Sequence, residues 1–118
     1  MYDDNNIFAR ILRGEIPCKK VHEDEHTLAF EDINPRAPVH TLVIPKGKYV
    51  SMNDFVEKAS DTEIAALMRA VRTVAARKGV DASGFRLIAN NGVDGGQEVP
   101  HLHFHVLGGR VIGAMVAR

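Results

Sequence analysis

The sequence predicts a single α+β domain with a mostly antiparallel sheet. Two strand-rich blocks lie on either side of one long amphipathic segment, and the connections between neighbouring strands are short and hairpin-like. The chain has 118 residues, which is enough for one domain with its own core and too few for two. We therefore expect residues 1–118 to form one domain.

The first block combines a short helix with three strands. Apolar residues at helical spacing predict a helix over 7–12. Strands are predicted over 20–23 and 27–31, and the charged turn between them indicates a hairpin. A loop with two prolines follows, because proline continues neither element. A near-continuous apolar run over 41–44, closed by Pro45, is typical of a central strand covered on both faces.

The second block begins with the longest helix. Ser60 and Glu63 have the spacing of a capping box, and apolar residues then recur at helical period as far as Gly79. Strands are predicted over 85–89 and 101–107. The sequence thus predicts one short helix and one long helix.

A sheet of this size leaves an edge or a face exposed. Exposed strand edges pair readily with other chains, and natural proteins therefore cover them. We expect a homodimer that supplies this cover.

Composition limits the classes of partner. Fifteen basic residues balance fifteen acidic ones, so we expect neither a polynucleotide nor a membrane surface as a partner. The lone cysteine, Cys18, excludes an intrachain disulfide and fits a reducing compartment. The N-terminus lacks the pattern of a signal peptide, and no apolar run is long enough to span a membrane. A cytoplasmic location is expected.

Three histidines alternate with apolar residues in the last predicted strand. His101, His103 and His105 would project from one face, with neighbours about 6.6–6.8 Å apart along the strand. The apolar residues between them would face the core. A fourth histidine, His40, joins this row if the strand that begins near it lies beside the histidine strand. Clustered titratable side chains lower the stability of a fold, and such a cluster is expected mainly where function requires it. The row therefore predicts a site.

A glycine-rich loop over 90–99 directly precedes the row and points to phosphoryl chemistry. Its backbone N–H groups could approach phosphate oxygens, with Asn90 and Gln97 as neutral donors. A neutral imidazole can attack phosphorus and form a labile phosphoramidate, which divides one difficult displacement into two easier ones. The middle residue, His103, has a partner on either side and is the predicted nucleophile.

A zinc site is the competing interpretation. Neutral imidazoles bind zinc well, and two histidines at i and i+2 with a third from elsewhere form a suitable ligand set. However, the histidine strand contains no carboxylate, and the nearest ones, Asp94 and Glu98, lie in the preceding loop.

These residues resemble the signature of the histidine triad (HIT) superfamily, His-x-His-x-His with apolar residues between. The similarity is greatest to its Hint branch of nucleotide-binding phosphoramidases. It extends over nearly the whole chain, through segments 7–8, 14–17, 28–35, 37–40, 42–46, 94–97 and 106–110. The resemblance implies an α+β fold with a five-stranded antiparallel sheet that continues across a homodimer.

The resemblance also implies a role for each histidine. His103 would take up the nucleoside monophosphate, His105 and His40 would contact the phosphate or leaving group, and His101 would support the ring of His103. No metal and no cofactor are implied. The paired N-terminal cysteines that bind zinc in certain bacterial relatives are absent, which weakens the zinc interpretation further.

The nucleotide would be held by residues from several segments. Asp32 would bind the ribose hydroxyls, and Asn90 and Gln97 would lie near the ribose and phosphate. Glu98 stands where some relatives have a small hydroxyl residue, a position expected to affect the leaving group. An apolar slot for a purine would be lined by Ile7, Phe8, Ile11, Phe30, Ile33 and Leu42. From the residues alone, Asp32 is equally a turn residue, and periodicity favours core positions for the residues of the first helix.

Three functions follow from these observations. The first is hydrolysis of purine nucleoside 5′-phosphoramidates, and of aminoacyl-adenylates as a related class, through a nucleotidyl-histidine intermediate. The second is hydrolysis of dinucleoside polyphosphates, which differs in the leaving group. The third is a nucleotide-binding or protein-interaction module with incidental turnover. The C-terminal segment 111–118 lacks the aromatic ending of animal relatives and is similar to the bacterial type.

Overall fold

A computed structural model describes residues 1–116 and contains one antiparallel sheet with three helices. The strand order is β1-β2-β3-β5-β4, which confirms the predicted α+β class and five-stranded sheet. The last two residues of the C-terminal segment lie outside the described range. The elements are α1 (Ile7–Leu12), β1 (Lys20–Glu23), β2 (Thr27–Glu31), β3 (Val39–Pro45), α2 (Met52–Lys58), α3 (Asp61–Arg77), β4 (Phe85–Ala89) and β5 (Phe104–Gly108).

The two faces of the sheet carry separate cores. Alternate residues of a strand point to opposite faces, so Val43 and Phe104 pack with α3 while Leu42 and Phe30 pack with α1. The α3 face is the larger core, and its buried residues are Ala29, Val43, Phe55, Leu67, Ala70, Val71, Val74, Leu102, Phe104 and Val106. The α1 face is smaller, and this face carries the histidines.

The second short helix, α2 (Met52–Lys58), was not predicted, so the expectation of only two helices is wrong. Ser51 caps its N-terminus by accepting a hydrogen bond from the backbone N–H of Asp54, at 3.3 Å. Phe55 is its one buried residue. Seven residues with a single buried position give too little periodicity to be distinguished from a loop.

The last strand begins later than predicted, at Phe104 instead of at residue 101. The segment 101–103 bonds instead to the chain at and after the end of β3. The backbone N–H of Leu102 donates to the carbonyl of Tyr49 at 2.8 Å, and the carbonyl of Pro45 lies 2.8 Å from the imidazole of His101. Contacts with a distant loop therefore hold the segment that carries two of the histidines.

Helix α3 (Asp61–Arg77) begins with the predicted capping box. The side chain of Ser60 accepts from the backbone N–H of Glu63 at 3.1 Å, and the Glu63 carboxylate accepts from the backbone N–H of Ser60 at 3.1 Å. Within residues 1–116, none of the helices has the length and apolar character that a membrane span needs.

Ser60→Ala should lower the free energy of unfolding by about 1 kcal/mol, because it leaves an N-terminal N–H of α3 without its acceptor. Chemical denaturation of wild type and variant measures the change. Ser83→Ala, at an exposed position, is the matched control and should leave stability unchanged. Equal stability of Ser60→Ala and wild type would contradict the role of the cap.

Candidate active site

Four histidines and one carboxylate meet on the α1 face of the sheet. His105 of β5 lies beside Leu42 of β3, and His40 follows on the same face two residues earlier. The rings of His103 and His105 have centroids 5.0 Å apart, and His40 Nε2 lies 2.9 Å from His105 Nδ1. The predicted juxtaposition of His40 with the histidine row is therefore present.

His103 presents a free lone pair. Its Nδ1 lies 2.8 Å from the backbone carbonyl of His101, and a carbonyl only accepts, so Nδ1 carries the hydrogen. In a neutral imidazole the other nitrogen, Nε2, then has the lone pair. The ring packs edge-on against Phe8, with centroids 4.9 Å apart. This arrangement suits a nucleophile.

His101 is completely buried, and its backbone carbonyl accepts the Nδ1–H of His103. Its Nε2 lies 2.8 Å from the carbonyl of Pro45 and donates to it. Its Nδ1 therefore accepts, and the donor is the hydroxyl of Tyr2 at 2.5 Å. Both ring nitrogens of His101 are occupied, so this residue is structural support and has no free atom for a substrate.

His40 and His105 form a second chain of defined tautomers. The backbone N–H of Arg36 donates to His40 Nδ1 at 3.0 Å, so a neutral His40 has its hydrogen on Nε2. That hydrogen can be donated to His105 Nδ1 at 2.9 Å, and Asp32 Oδ2 lies 3.4 Å away. His105 then has its own hydrogen on Nε2. This buried atom has no hydrogen-bond partner within residues 1–116, so a donor is available beside His103.

Burial keeps all four histidines neutral near pH 7. Desolvation lowers the pKa of His101 to about 4, with a smaller effect from His103. The pKa of His105 is also lowered to about 4, first by burial and then by charge on His103 and His40. Burial lowers the pKa of His103 and of His40, while the charge of Asp32 opposes the shift at both. A neutral row is the state in which an imidazole lone pair exists.

The predicted apolar slot divides into a buried floor and exposed residues. Phe8, Phe30 and Leu42 are at most 6% exposed and pack together, with Ile11 partly buried against them. By contrast, Ile7 is 41% exposed and Ile33 is 85% exposed. The floor therefore belongs to the core, while the two isoleucines are exposed to solvent.

The glycine-rich loop is braced by Gln97. Its Nε2 donates to the carbonyls of Val50 and Val99, at 2.5 and 3.0 Å, and its Oε1 accepts from the N–H of Gly92 at 3.0 Å. These bonds use the side chain to shape the loop. Asn90 is half-buried at the end of β4, and Glu98 is exposed. The charge of Glu98 opposes the lowering of the pKa of His103.

A metal ion could be held by Asp32, His40 and His105, whose potential ligand atoms lie within 4.8 Å of one another. The tautomer of His40 opposes this. Its Nδ1 lone pair is already bonded to the N–H of Arg36, so a neutral ring has a hydrogen on Nε2, where the metal would bind. Metal binding there requires His40 to give up the bond with Arg36.

Three partners in the site were not predicted from the sequence. They are the hydroxyl of Tyr2, the backbone N–H of Arg36 and the carbonyl of Pro45. Two are backbone groups, which every residue has, and Tyr2 lies 99 positions from its partner. No local pattern in the sequence indicates these contacts.

The chain is similar to proteins with a HIT domain. A profile of the HIT domain matches residues 13–112. An uncharacterized 13.2 kDa HIT-like protein of Azospirillum brasilense is 61% identical over 117 residues, or 99% of this chain and 96% of that protein. The purine nucleoside phosphoramidase of Escherichia coli K12 is 40% identical over 114 residues, or 97% of this chain and 95% of that enzyme.

The solved structures include a similar fold. A histidine triad protein from Clostridium difficile gives a TM-score of 0.85 at 44% sequence identity, covering 98% of this chain and 100% of that one. The similarity in sequence and the similarity in fold thus each extend over nearly the whole chain. The resemblance inferred from the sequence is confirmed.

Acidification from pH 7 to pH 5 should destabilise the fold. The pKa of His101 is about 4 when folded against an ordinary value of 6.5, so the unfolded chain binds protons first as the pH falls. Stability is complete above pH 6.5 and decreases toward pH 4, and His101 alone contributes roughly 1–2 kcal/mol of loss by pH 5.

Thermal unfolding at several pH values measures this loss. Proton NMR at pH 5 provides the direct check, since the rings of His101 and His105, whose pKa values are about 4, should remain neutral in the folded protein. A melting temperature that does not change between pH 7 and pH 5 would contradict the assignment of neutral, buried histidines.

Proposed function

Because the chain belongs to the HIT family, we propose that it hydrolyses purine nucleoside 5′-phosphoramidates to the nucleoside monophosphate and an amine. The observation that carries this proposal is the pair of complementary tautomers: a lone pair on His103 Nε2 beside a free N–H on His105 Nε2. The 40% identity to a purine nucleoside phosphoramidase supports the substrate class. Aminoacyl-adenylates form a second class with the same nucleotide half.

In the first step, His103 Nε2 attacks the phosphorus of the substrate. A bond from nitrogen to phosphorus forms, the bond to the leaving amine breaks, and the amine nitrogen takes a proton from solvent. The His103 ring gains positive charge, and the carbonyl of His101 on its Nδ1–H stabilises that charge. The N–H of His105 donates to a phosphoryl oxygen.

In the second step, water attacks the phosphorus of the nucleotidyl-histidine. The bond from phosphorus to His103 breaks and returns its electron pair to Nε2, and the water releases a proton to solvent. The products are the nucleoside monophosphate and the original neutral ring. Two displacements replace one, and the tautomer of His103 is the same before and after turnover.

The nucleoside would lie over the floor formed by Phe8, Phe30 and Leu42. Exposed Ile7 and Ile33 would cover the base, because burial of exposed apolar side chains against a purine is favourable. Asp32, whose Oδ1 already accepts from the N–H of Asn34 at 2.8 Å, would use its remaining acceptor capacity for the ribose hydroxyls. Asn90, Gln97 and Glu98 would shape the phosphate and leaving-group side.

No metal is needed in this mechanism. The N–H of His105 and the backbone N–H groups of the loop supply the donors for the phosphate oxygens. The bond from Arg36 to His40 supports this, because it places a hydrogen where a metal would bind.

A homodimer is also proposed, through the exposed edge of β4. Phe85 and Leu87 of this strand are 40% and 38% exposed, and Met68 of α3 is 49% exposed. A strand with a free edge and apolar side chains is a surface that natural proteins cover. Pairing of two β4 strands would join the sheets and bury these side chains.

The first test is turnover of an adenosine 5′-phosphoramidate with a fluorescent amine, beside diadenosine tetraphosphate, after EDTA treatment. Amine release should persist in EDTA and fall by roughly 10³-fold or more in His103→Ala, which removes the nucleophile. His26→Ala, outside the site, is the matched control and should retain activity.

Other results of this experiment reject the proposal in specific ways. A preference for diadenosine tetraphosphate would identify a dinucleoside polyphosphate hydrolase. Activity that disappears in EDTA and returns with zinc would identify a metal-dependent site. Turnover of neither compound would leave a binding module.

Leu87→Glu should convert the proposed dimer into a monomer, because it places a charge on the apolar edge of β4. Light scattering coupled to size exclusion measures the mass, which should be twice the 13.0 kDa chain for wild type and equal to it for the variant. Val56→Glu, exposed on α2, is the control and should remain dimeric. A monomeric wild type would overturn the proposed interface.

A further inference from the structure

We propose that Tyr2 is a positioning residue for the nucleophile, acting through the buried imidazole of His101. This inference rests on the proposed function, since it takes His103 as the group that attacks phosphorus. The hydrogen bond and the aromatic contact of the Tyr2 side chain are both with His101. Its effect is to fix the segment 101–103.

The segment that carries His103 has no strand ladder to hold it. Strand β5 begins at Phe104, one residue later. The backbone of 101–103 is tied to the rest of the fold by the bond from the N–H of Leu102 to the carbonyl of Tyr49. The side chain of Leu102 packs in the core on the α3 face. On the histidine face, the hydrogen bonds of the segment come from the side chains of His101 and His103. The orientation of the nucleophile therefore depends on those side-chain bonds.

His101 is the centre of these restraints. Its Nε2–H donates to the carbonyl of Pro45, and its own carbonyl accepts the Nδ1–H of His103. That second bond gives His103 its tautomer. Any movement of His101 that includes its backbone displaces its carbonyl. This displacement weakens the hydrogen bond that keeps the lone pair of His103 on Nε2.

The Tyr2 hydroxyl supplies the third bond of His101. It donates to Nδ1 at 2.5 Å, and the two rings meet edge to face with centroids 5.6 Å apart and an angle of 70°. His101 is 0% exposed, so bulk water does not reach its ring and the hydroxyl of Tyr2 is the donor that Nδ1 has in the fold. A buried acceptor without a partner is destabilising, and the ring would reorient to recover a bond.

The N-terminal segment is ordered well enough to hold Tyr2. Asn6, which is buried, donates its side-chain amide to the carbonyl of Asp3 at 2.7 Å and accepts from the N–H of Ala9 at 2.9 Å. The carbonyl of Asp4 accepts from Arg13 at 2.7 Å, and the carboxylate of Asp4 pairs with Lys48 at 2.8 Å. Residues 3–6 are thus tied to α1 and to the chain beyond β3.

Tyr2→Phe tests the proposal, because it keeps the ring contact and removes only the hydroxyl. We expect kcat on the adenosine phosphoramidate to fall by about tenfold with KM unchanged, since small displacements of a reacting group reduce the rate while binding persists. Thr73→Val is the control. It removes a hydroxyl that donates to the carbonyl of Arg69 at 3.2 Å on α3, on the opposite face of the sheet from the histidines, and should keep kcat within about twofold.

A second measurement does not depend on turnover. Nitrogen-15 NMR of the histidine rings should show a single Nδ1–H tautomer for His103 in wild type and in Thr73→Val. In Tyr2→Phe, His103 should populate both tautomers or titrate at a different pH. A purely structural role for Tyr2 would lower the melting temperature without changing these signals.

The two measurements separate the two hypotheses. An unchanged kcat with unchanged His103 signals in Tyr2→Phe overturns the positioning role, as does a rise in KM alone. If wild type turns over no phosphoramidate, the proposed function fails, and the His103 tautomer in Tyr2→Phe still decides whether Tyr2 positions this ring.

Discussion

The site depends on a simple constraint: a neutral imidazole has one hydrogen to share between two nitrogens. A bond at one nitrogen therefore determines what the other nitrogen can do. The carbonyl of His101 places the hydrogen of His103 on Nδ1, and the N–H of Arg36 places the hydrogen of His40 on Nε2. Opposite tautomers result, so that neighbouring rings offer a lone pair and a donor.

This constraint works only while the rings are uncharged, and the fold provides that condition by burial. The α1 face is a small core whose floor contacts His103 directly through Phe8. Burial lowers the pKa of all four histidines. The same burial makes each hydrogen bond important for stability, because a buried polar atom without a hydrogen-bond partner destabilises the fold. Burial therefore both keeps the imidazoles neutral and makes their hydrogen bonds important for the stability of the fold.

Much of the fold could be predicted, because its signals are local. The short apolar run in 27–31, the capping box at Ser60 and the helical period up to Gly79 are all contained in short windows. Helix α2 (Met52–Lys58) escaped prediction because only Phe55 is buried. The start of the last strand was misplaced because alternation continues through 101–103, while the backbone bonding there goes to Tyr49.

By itself the sequence determined the fold class, the histidine row and, through the resemblance of its motifs, the family, since each depends on residues and spacing along the chain. The placement of His40 beside the row depended on the pairing of β3 with β5, which the structure shows. Only the tertiary structure decided the tautomers. These depend on the carbonyl of Pro45, the N–H of Arg36 and the hydroxyl of Tyr2. Backbone carbonyls occur in every residue and backbone N–H groups in every residue except proline, and a contact across 99 positions leaves no periodic trace. The direction of a hydrogen bond is set by three-dimensional placement alone.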